Sequence, residues 1–476
     1  MFEELTFGFP ILSQLLFLPL AGALVLWLLE EEDLIKNATL AVAAVELFLA
    51  MILLVRFVPD SAAMQFAERL QWIPPLGISY HLAVDGISVL FVGLTAFRQY
   101  AALKYVLYTL LGSVFMLVGF VLLNLNYHDW ALSHRVEPSY SFDFLQLLTT
   151  PISGDRQVMI FWLIFLGLAF KAPIFPFHTW LPDALMEGPI GMAVVLAGIK
   201  LGTYGFLRFS LPLLPEASKS KGVVTVVVTL ALIAIVYGAI VALIQPDLRR
   251  LLAFSSISHL GFCVLGVFAL NFQGLQGSLL TMINLGFTTA GLFFLAGFLY
   301  LRRHSTNLSA FGGLARKVPL LATFLLIIGL ASIGLPGTNG FVGEFLVLLG
   351  AFQAHWLYGS VGVLGVIFGA AYFLWYYERA MFGPLTKGAT QAIADLNGRE
   401  LIIAVSLCVM IFWIGLYPAP FLRIMNGSIQ ALVERLERGS GAAVAEMELD
   451  KKTDQPDCPS CSRSAHDQNV LARRAQ

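Results

Sequence analysis

Charge is scarce in this chain. Asp, Glu, Lys and Arg make up only 12% of its 476 residues, against 58% hydrophobic residues, and mean hydropathy is +0.80. A soluble domain of this size needs more charge to cover its surface, so composition excludes that class. The 29 basic residues nearly balance 30 acidic ones and are scattered, which excludes an electrostatic nucleic-acid surface. Cysteine is scarcer still. Of four, Cys263 and Cys408 stand alone within apolar runs and behave there as small hydrophobes. Cys458 and Cys461 form one CPSC near His466, and a single CxxC without a second pair is weak ground for a metal site. Neither a glycine-rich dinucleotide fingerprint after a strand nor a phosphate-binding loop is present. No cofactor and no metal is therefore assigned to this chain. The first apolar run, 11–29, follows Glu3 and Glu4 without a basic leader or a cleavage site, and reads as a retained span.

Apolar length fills the chain instead. At about 20 apolar residues per bilayer crossing, the sequence predicts helices over 11–29, 38–56, 103–125, 157–175, 190–211, 222–244, 251–270, 277–301, 318–336, 339–355, 357–378 and 400–421. Only a PGT separates 318–336 from 339–355, and if these are halves of one broken helix about eleven crossings remain. The fold class is an all-α polytopic membrane protein of about 11–12 transmembrane spans, with broken helices in its bundle. A further stretch, 86–97, is too short to span, runs abruptly into RQYAALKY, and reads as the stub of a helix. Residues 1–430 form the transmembrane domain. The polar tail 431–476 lacks apolar periodicity and reads as disordered.

Basic residues in the loops give the orientation. Arg249 and Arg250, then Arg302, Arg303, Arg316 and Lys317, then Arg379, Lys387 and Arg399 fall in alternate loops on one side, which the rule makes cytoplasmic. The C-terminal tail emerges opposite, provided 318–355 crosses once.

Four ionisable residues lie inside apolar segments. Lys171 sits in FWLIFLGLAFKAPIFPFHTW, where Pro173 and Pro176 remove backbone donors beside the charge. Broken backbone at membrane depth survives where it is buried in protein or lines a wet cavity, and an intramembrane charge is functional by default. The apolar IFPF that follows argues against a lysine that merely snorkels to the interface. Lys200, flanked by Gly198 and Gly202, and Glu344, after a Gly-Pro break in LASIGLPGTNGFVGEFLVLL, repeat the pattern. A structural ion pair is the plain reading of Lys200, and a cap on the following helix is that of Glu344. His259 lies in AFSSISHLGF, where Ser255, Ser256 and Ser258 supply hydroxyls for water or for bonds back to the helix. His178 and Asp183, beside prolines in a turn, read as structural. Interrupted helices with ionisable groups in two halves of a chain point to inverted-repeat transport proteins.

The runs FKAPIFPFHTWLPDALMEGP, LAGIKLGTYGFLRFSLPLLP, QPDLRRLLAFSSISHLGF and GLPGTNGFVGEF resemble the antiporter-like membrane subunits of proton-pumping NADH:quinone oxidoreductase, respiratory complex I, and in particular its chain M (chain 4) family. The wider family includes subunits of multi-subunit cation/proton antiporters, and TNGFVGEF favours the complex I branch. The resemblance implies an antiporter-like helical bundle in which Lys171 is the central proton carrier of the first half-channel on broken helix seven. By the same resemblance Lys200 is a relay on helix eight, His259 is a relay near the second half-channel, and Glu344 is the terminal acid of broken helix twelve. It further implies a multi-pass protein of the bacterial inner membrane whose partners are the lipid bilayer and other complex I membrane subunits, neighbouring antiporter-like subunits above all. NADH, quinone and the redox centres then bind elsewhere in the complex.

Three departures from the family pattern qualify that implication. Between Phe97 and Arg98 the family carries the rest of helix three and all of helices four and five, and with them the glutamate that partners the lysine matching Lys171. Leu285 stands where a histidine relay is expected, which leaves the link from His259 to Glu344 to water. The approach to Lys200 is two residues shorter than the family's, a rotation of about 200° on a helix. The leading reading is a proton-translocating subunit of an enzyme complex with no redox catalysis on this chain. A non-pumping structural or assembly subunit or defective truncated product, and a cation/proton antiporter subunit, are the alternatives.

Overall fold

The computed structural model describes residues 10–27, 64–73, 78–84, 103–134, 140–187, 200–382 and 394–453, with a few single positions between these stretches. The expected gap at 97–98, the stub at 86–97 and the CPSC motif lie outside the described residues, and the span expected at 38–56 is described only at scattered helical positions.

Most of the described helices fall where apolar length put them, the exceptions being a short one at Trp180–Glu187 and a long one at Ala419–Thr453. In chain order they are α1 (Ile11–Trp27), α2 (Leu103–Ser133), α3 (Gly154–Lys171), α4 (Trp180–Glu187), α5 (201–213, with a π-helical turn over Phe206–Ser210), α6 (Lys221–Leu243) and α7 (Leu248–Phe268). Then come α8 (Phe272–Arg303), α9 (Pro319–Ser332), α10 (Asn339–Ala354), α11 (Trp356–Phe382), α12 (Gly398–Leu416) and α13 (Ala419–Thr453). Helices α7 and α8 are almost wholly buried, whereas α2, α11 and α12 leave most of their apolar surface outward, as lipid-facing helices do. The two central helices also carry the polar side chains, because only there can protein partners replace water.

Small residues let the central helices touch. A Cβ on Gly238 of α6 would collide with the backbone at Ser258 of α7, and one on Gly277 of α8 with the backbone at Val347 of α10. Close approach of this kind gives the van der Waals contact that holds helices together in lipid, where no hydrophobic force does.

Helices α9 and α10 are one broken crossing. Pro319 starts α9 beside the Asp395 loop, Leu320 and Leu321 donating to that carboxylate, and α10 ends opposite, where Asn271 Nδ2 donates to Gly350 O at 2.8 Å. The arginine-rich loops meet on the first side: Thr306 Oγ1 donates to Asp247 Oδ2 at 2.6 Å, and Arg302 bonds Asp395 O and the Glu400 carboxylate. The charge pattern therefore sorted the loops correctly.

Two further features accompany the helical bundle. Beside the helices, β2 (Met64–Ile73) and β3 (Ile78–Val84) form an antiparallel hairpin, with β1 (Glu4–Leu5) parallel to β2. Glu68 on β2 accepts from the backbone N–H groups of Leu12 and Ser13 at 2.7 and 3.0 Å, so the hairpin supplies the anion that the start of α1 lacks. The second feature is α13, which runs through residue 430. Met425, Ile429, Leu432 and Leu436 are buried at helical spacing, Lys219 Nζ donates to Leu436 O at 2.5 Å, and Arg435 donates to Pro212 O and Leu148 O. The polar composition of this stretch reflects a helix with one apolar stripe, which a search for spans passes over.

Candidate proton path

Proline and glycine shape the site. After Ser332, Gly334 takes φ +76 and Gly337 φ +89, a left-handed conformation that side chains with a Cβ avoid. Pro336 has no N–H to continue the ladder. The chain restarts at α10, and the Glu344 carboxylate turns back toward the break: a Cβ on Gly334 would lie 2.8 Å from Oε2. Glu344 is six residues into α10, beyond the turn whose N–H groups need caps, so the plain reading of it as a helix cap fails on position.

Its partner is His259 of α7. Nδ1 of His259 lies 3.1 Å from Glu344 Oε1, both side chains being under a tenth exposed, at an angle off the axis of a linear hydrogen bond. The expected dependence on water between them is thus corrected: the two groups touch, and Leu285, buried on α8, need not intervene. The serines around His259 divide their tasks. Ser256 bonds back to Leu252 O at 2.9 Å, Ser258 crosses to Ile235 O on α6 at 2.8 Å, and Ser255 meets the hydroxyl of Tyr372 on α11 at 2.6 Å. Tyr372 Oη in turn lies 3.3 Å from His259 Nε2. Across the break, Asn284 Nδ2 of α8 donates to Asn339 O at 2.6 Å.

Lys200 is buried, 3% exposed, at the residue that caps α5. The shortened approach therefore does not turn it outward. The π turn that follows one helical turn later is the kind of irregularity found at functional helix sites.

Lys171 is different. It ends α3 as its sequence required, with Pro173 and Pro176 in the irregular segment before α4, but its side chain is exposed and has no ion-pair partner among the described residues. It makes no ion pair with Glu344, whose partner is His259. Beyond the same segment, His178, Asp183, Tyr237, Gln245, Arg250 and Phe254 line a half-open cavity of about 350 Å³. Arg250 approaches Asp183 at 3.9 Å across it. The sequence places His178 and Asp183 beside prolines without signalling the cavity, and a tyrosine in an aromatic-rich helix such as Tyr372 gives no signal of what its hydroxyl meets.

A buried bundle with two interrupted helices, each bringing an ionisable side chain to its break, defines an antiporter-like membrane protein. The chain belongs to the NADH:quinone oxidoreductase/Mrp antiporter transmembrane family, which it matches over residues 78–371. It is 34% identical to the NADH-ubiquinone oxidoreductase chain 4 of Marchantia polymorpha over 493 aligned residues, covering 89% of this chain and 97% of that one. It is likewise 34% identical to the NADH-quinone oxidoreductase subunit M of Rickettsia conorii, with 89% and 99% covered. Among solved structures, a chain of respiratory complex I from Thermus thermophilus, determined with bound NADH, superposes with a TM-score of 0.78 at 29% identity, over 89% of this chain and 99% of that one.

Proposed function

We propose that this chain moves protons through the membrane arm of an NADH:quinone oxidoreductase, energised by electron transfer in other subunits. The observation that carries this reading is the buried His259–Glu344 pair at 3.1 Å, placed at a helix break where backbone and side chains are polar in the middle of the bundle. In this reading Lys171 receives protons in the first half of the bundle, Lys200 passes them inward, and His259 hands them to Glu344 for release on the far side. The basic face is the cytoplasmic face of a bacterial inner membrane. The partners are the other membrane subunits of the complex, and no redox step occurs on this chain. The alignment with the Marchantia relative is 493 positions long yet covers 89% of this 476-residue chain, so it contains gaps in this chain, as a deletion relative to the family requires.

One observation favours a second reading, a structural subunit that does not pump: Lys171 is exposed. The test is a complex carrying His259→Gln, reconstituted in vesicles, with protons moved per electron delivered to quinone as the readout. A lower ratio at an unchanged electron-transfer rate supports pumping through this chain. An unchanged ratio refutes it and leaves the structural role. Co-purification with antiporter subunits in place of quinone-reducing ones would assign the chain to a cation/proton antiporter.

A further inference from the structure

The polar contacts of His259 do not end at Glu344. Its second ring nitrogen, Nε2, lies 3.3 Å from the hydroxyl of Tyr372, and that hydroxyl lies 2.6 Å from Ser255 Oγ. Ser255 and His259 are four residues apart on α7 and so share a face. Tyr372 reaches both from α11, with only 1% of its surface exposed. One phenol thus bridges two residues of a neighbouring helix, in a place where an unsatisfied hydroxyl would be costly.

We propose that Tyr372 is the positioning residue of this proton path, holding the His259 ring with Nδ1 toward Glu344 in both charge states of the imidazole. The proposal rests on the reading of His259 and Glu344 as proton carriers. Handing the Nδ1 proton to Glu344 leaves a neutral imidazole with its proton on Nε2, so the imidazolium and the neutral ring both need an acceptor there. The phenol oxygen is that acceptor. In both charge states Nε2–H donates to Tyr372, and Tyr372 donates to Ser255. No bond to oxygen breaks, and the ring keeps its place. Glu344 cannot hold the ring alone, because its contact with Nδ1 is off the hydrogen-bond axis. A phenylalanine at 372 would keep the packing and lose the hold on Nε2.

The experiment uses the whole complex in vesicles with 3-fluorotyrosine placed at position 372 alone, so that fluorine NMR reads one phenol, alongside the proton-to-electron ratio of Tyr372→Phe. The fluorine signal is expected to shift in a His259→Gln background and to differ between resting and turning-over complex. Tyr372→Phe is expected to slow proton flux through this chain by about tenfold, the worth of one hydrogen bond to a charged group. Ser255→Thr should preserve both readouts and Ser255→Ala should impair them. A fluorine signal blind to His259→Gln, or normal pumping by Tyr372→Phe, overturns the proposal. Normal pumping by Glu344→Gln with a responsive fluorine signal overturns the proton-path reading on which it stands.

Discussion

Replacing Glu344 by glutamine separates a proton carrier from a structural acid. The amide keeps the shape of the side chain and one acceptor oxygen, so it still fits against Gly334 and still faces His259 Nδ1. It cannot take and release a proton. At 3.1 Å, a charged His259 is attracted to the Glu344 carboxylate by about 5 kcal/mol at an effective dielectric near 20, and the amide removes nearly all of that. The structural loss is smaller, about 1 kcal/mol for one polar contact exchanged for another. The complex should therefore assemble and reduce quinone while the protons carried by this chain disappear from the total. The assay is the proton-to-electron ratio of purified complex in sealed vesicles, with assembly checked by the yield of intact complex. A ratio equal to wild type would refute the reasoning, since a carboxylate that carries this chain's protons cannot be replaced by an amide in silence.

Lys171→Arg should fail as badly as Lys171→Ala in the same vesicle assay, because guanidinium holds its proton; normal pumping by the arginine variant would end the carrier role. The exposed amine of Lys171 should also be labelled by small amine-reactive reagents faster than the buried amine of Lys200, as mass spectrometry of the labelled peptides would show. Gly334→Ala should cost about 1–2 kcal/mol for its left-handed backbone and push the Glu344 carboxylate away. Pumping should therefore fall even where assembly survives, and normal pumping would show that the carboxylate has room to move. Arg302→Ala strands the buried Glu400 carboxylate, which it meets at 2.5 Å, and should destabilise the complex by about 3–5 kcal/mol, read as earlier thermal dissociation.

The ionisable residues were legible because the sequence contrast is strong: a lysine, a histidine or a glutamate inside 20 apolar residues has few innocent explanations. The breaks were legible because Pro173, Pro176 and Pro336 cannot continue a helix. The hairpin Met64–Ile73 with Ile78–Val84 was overlooked because apolar length, the signal being followed, says nothing of a short amphipathic strand, although the alternation in ISYHLAV was there to read. The helix through residue 430 was overlooked for the same reason, its buried stripe being one side of an otherwise charged segment.

Sequence alone determined what must be inside the membrane and where the helices break, because burial of apolar length and the missing N–H of proline are local facts. Tertiary structure decided which of the inner charges meet. His259 and Glu344 are 85 positions apart in the chain and touch only because α7 packs against the broken α9–α10 crossing. Lys171, the residue that the sequence made most prominent, lies outside their cluster with its side chain exposed. Tyr372 joins His259 from α11 for the same non-local reason. Distances between helices depend on the packing of every side chain between them, and no spacing along the chain encodes that.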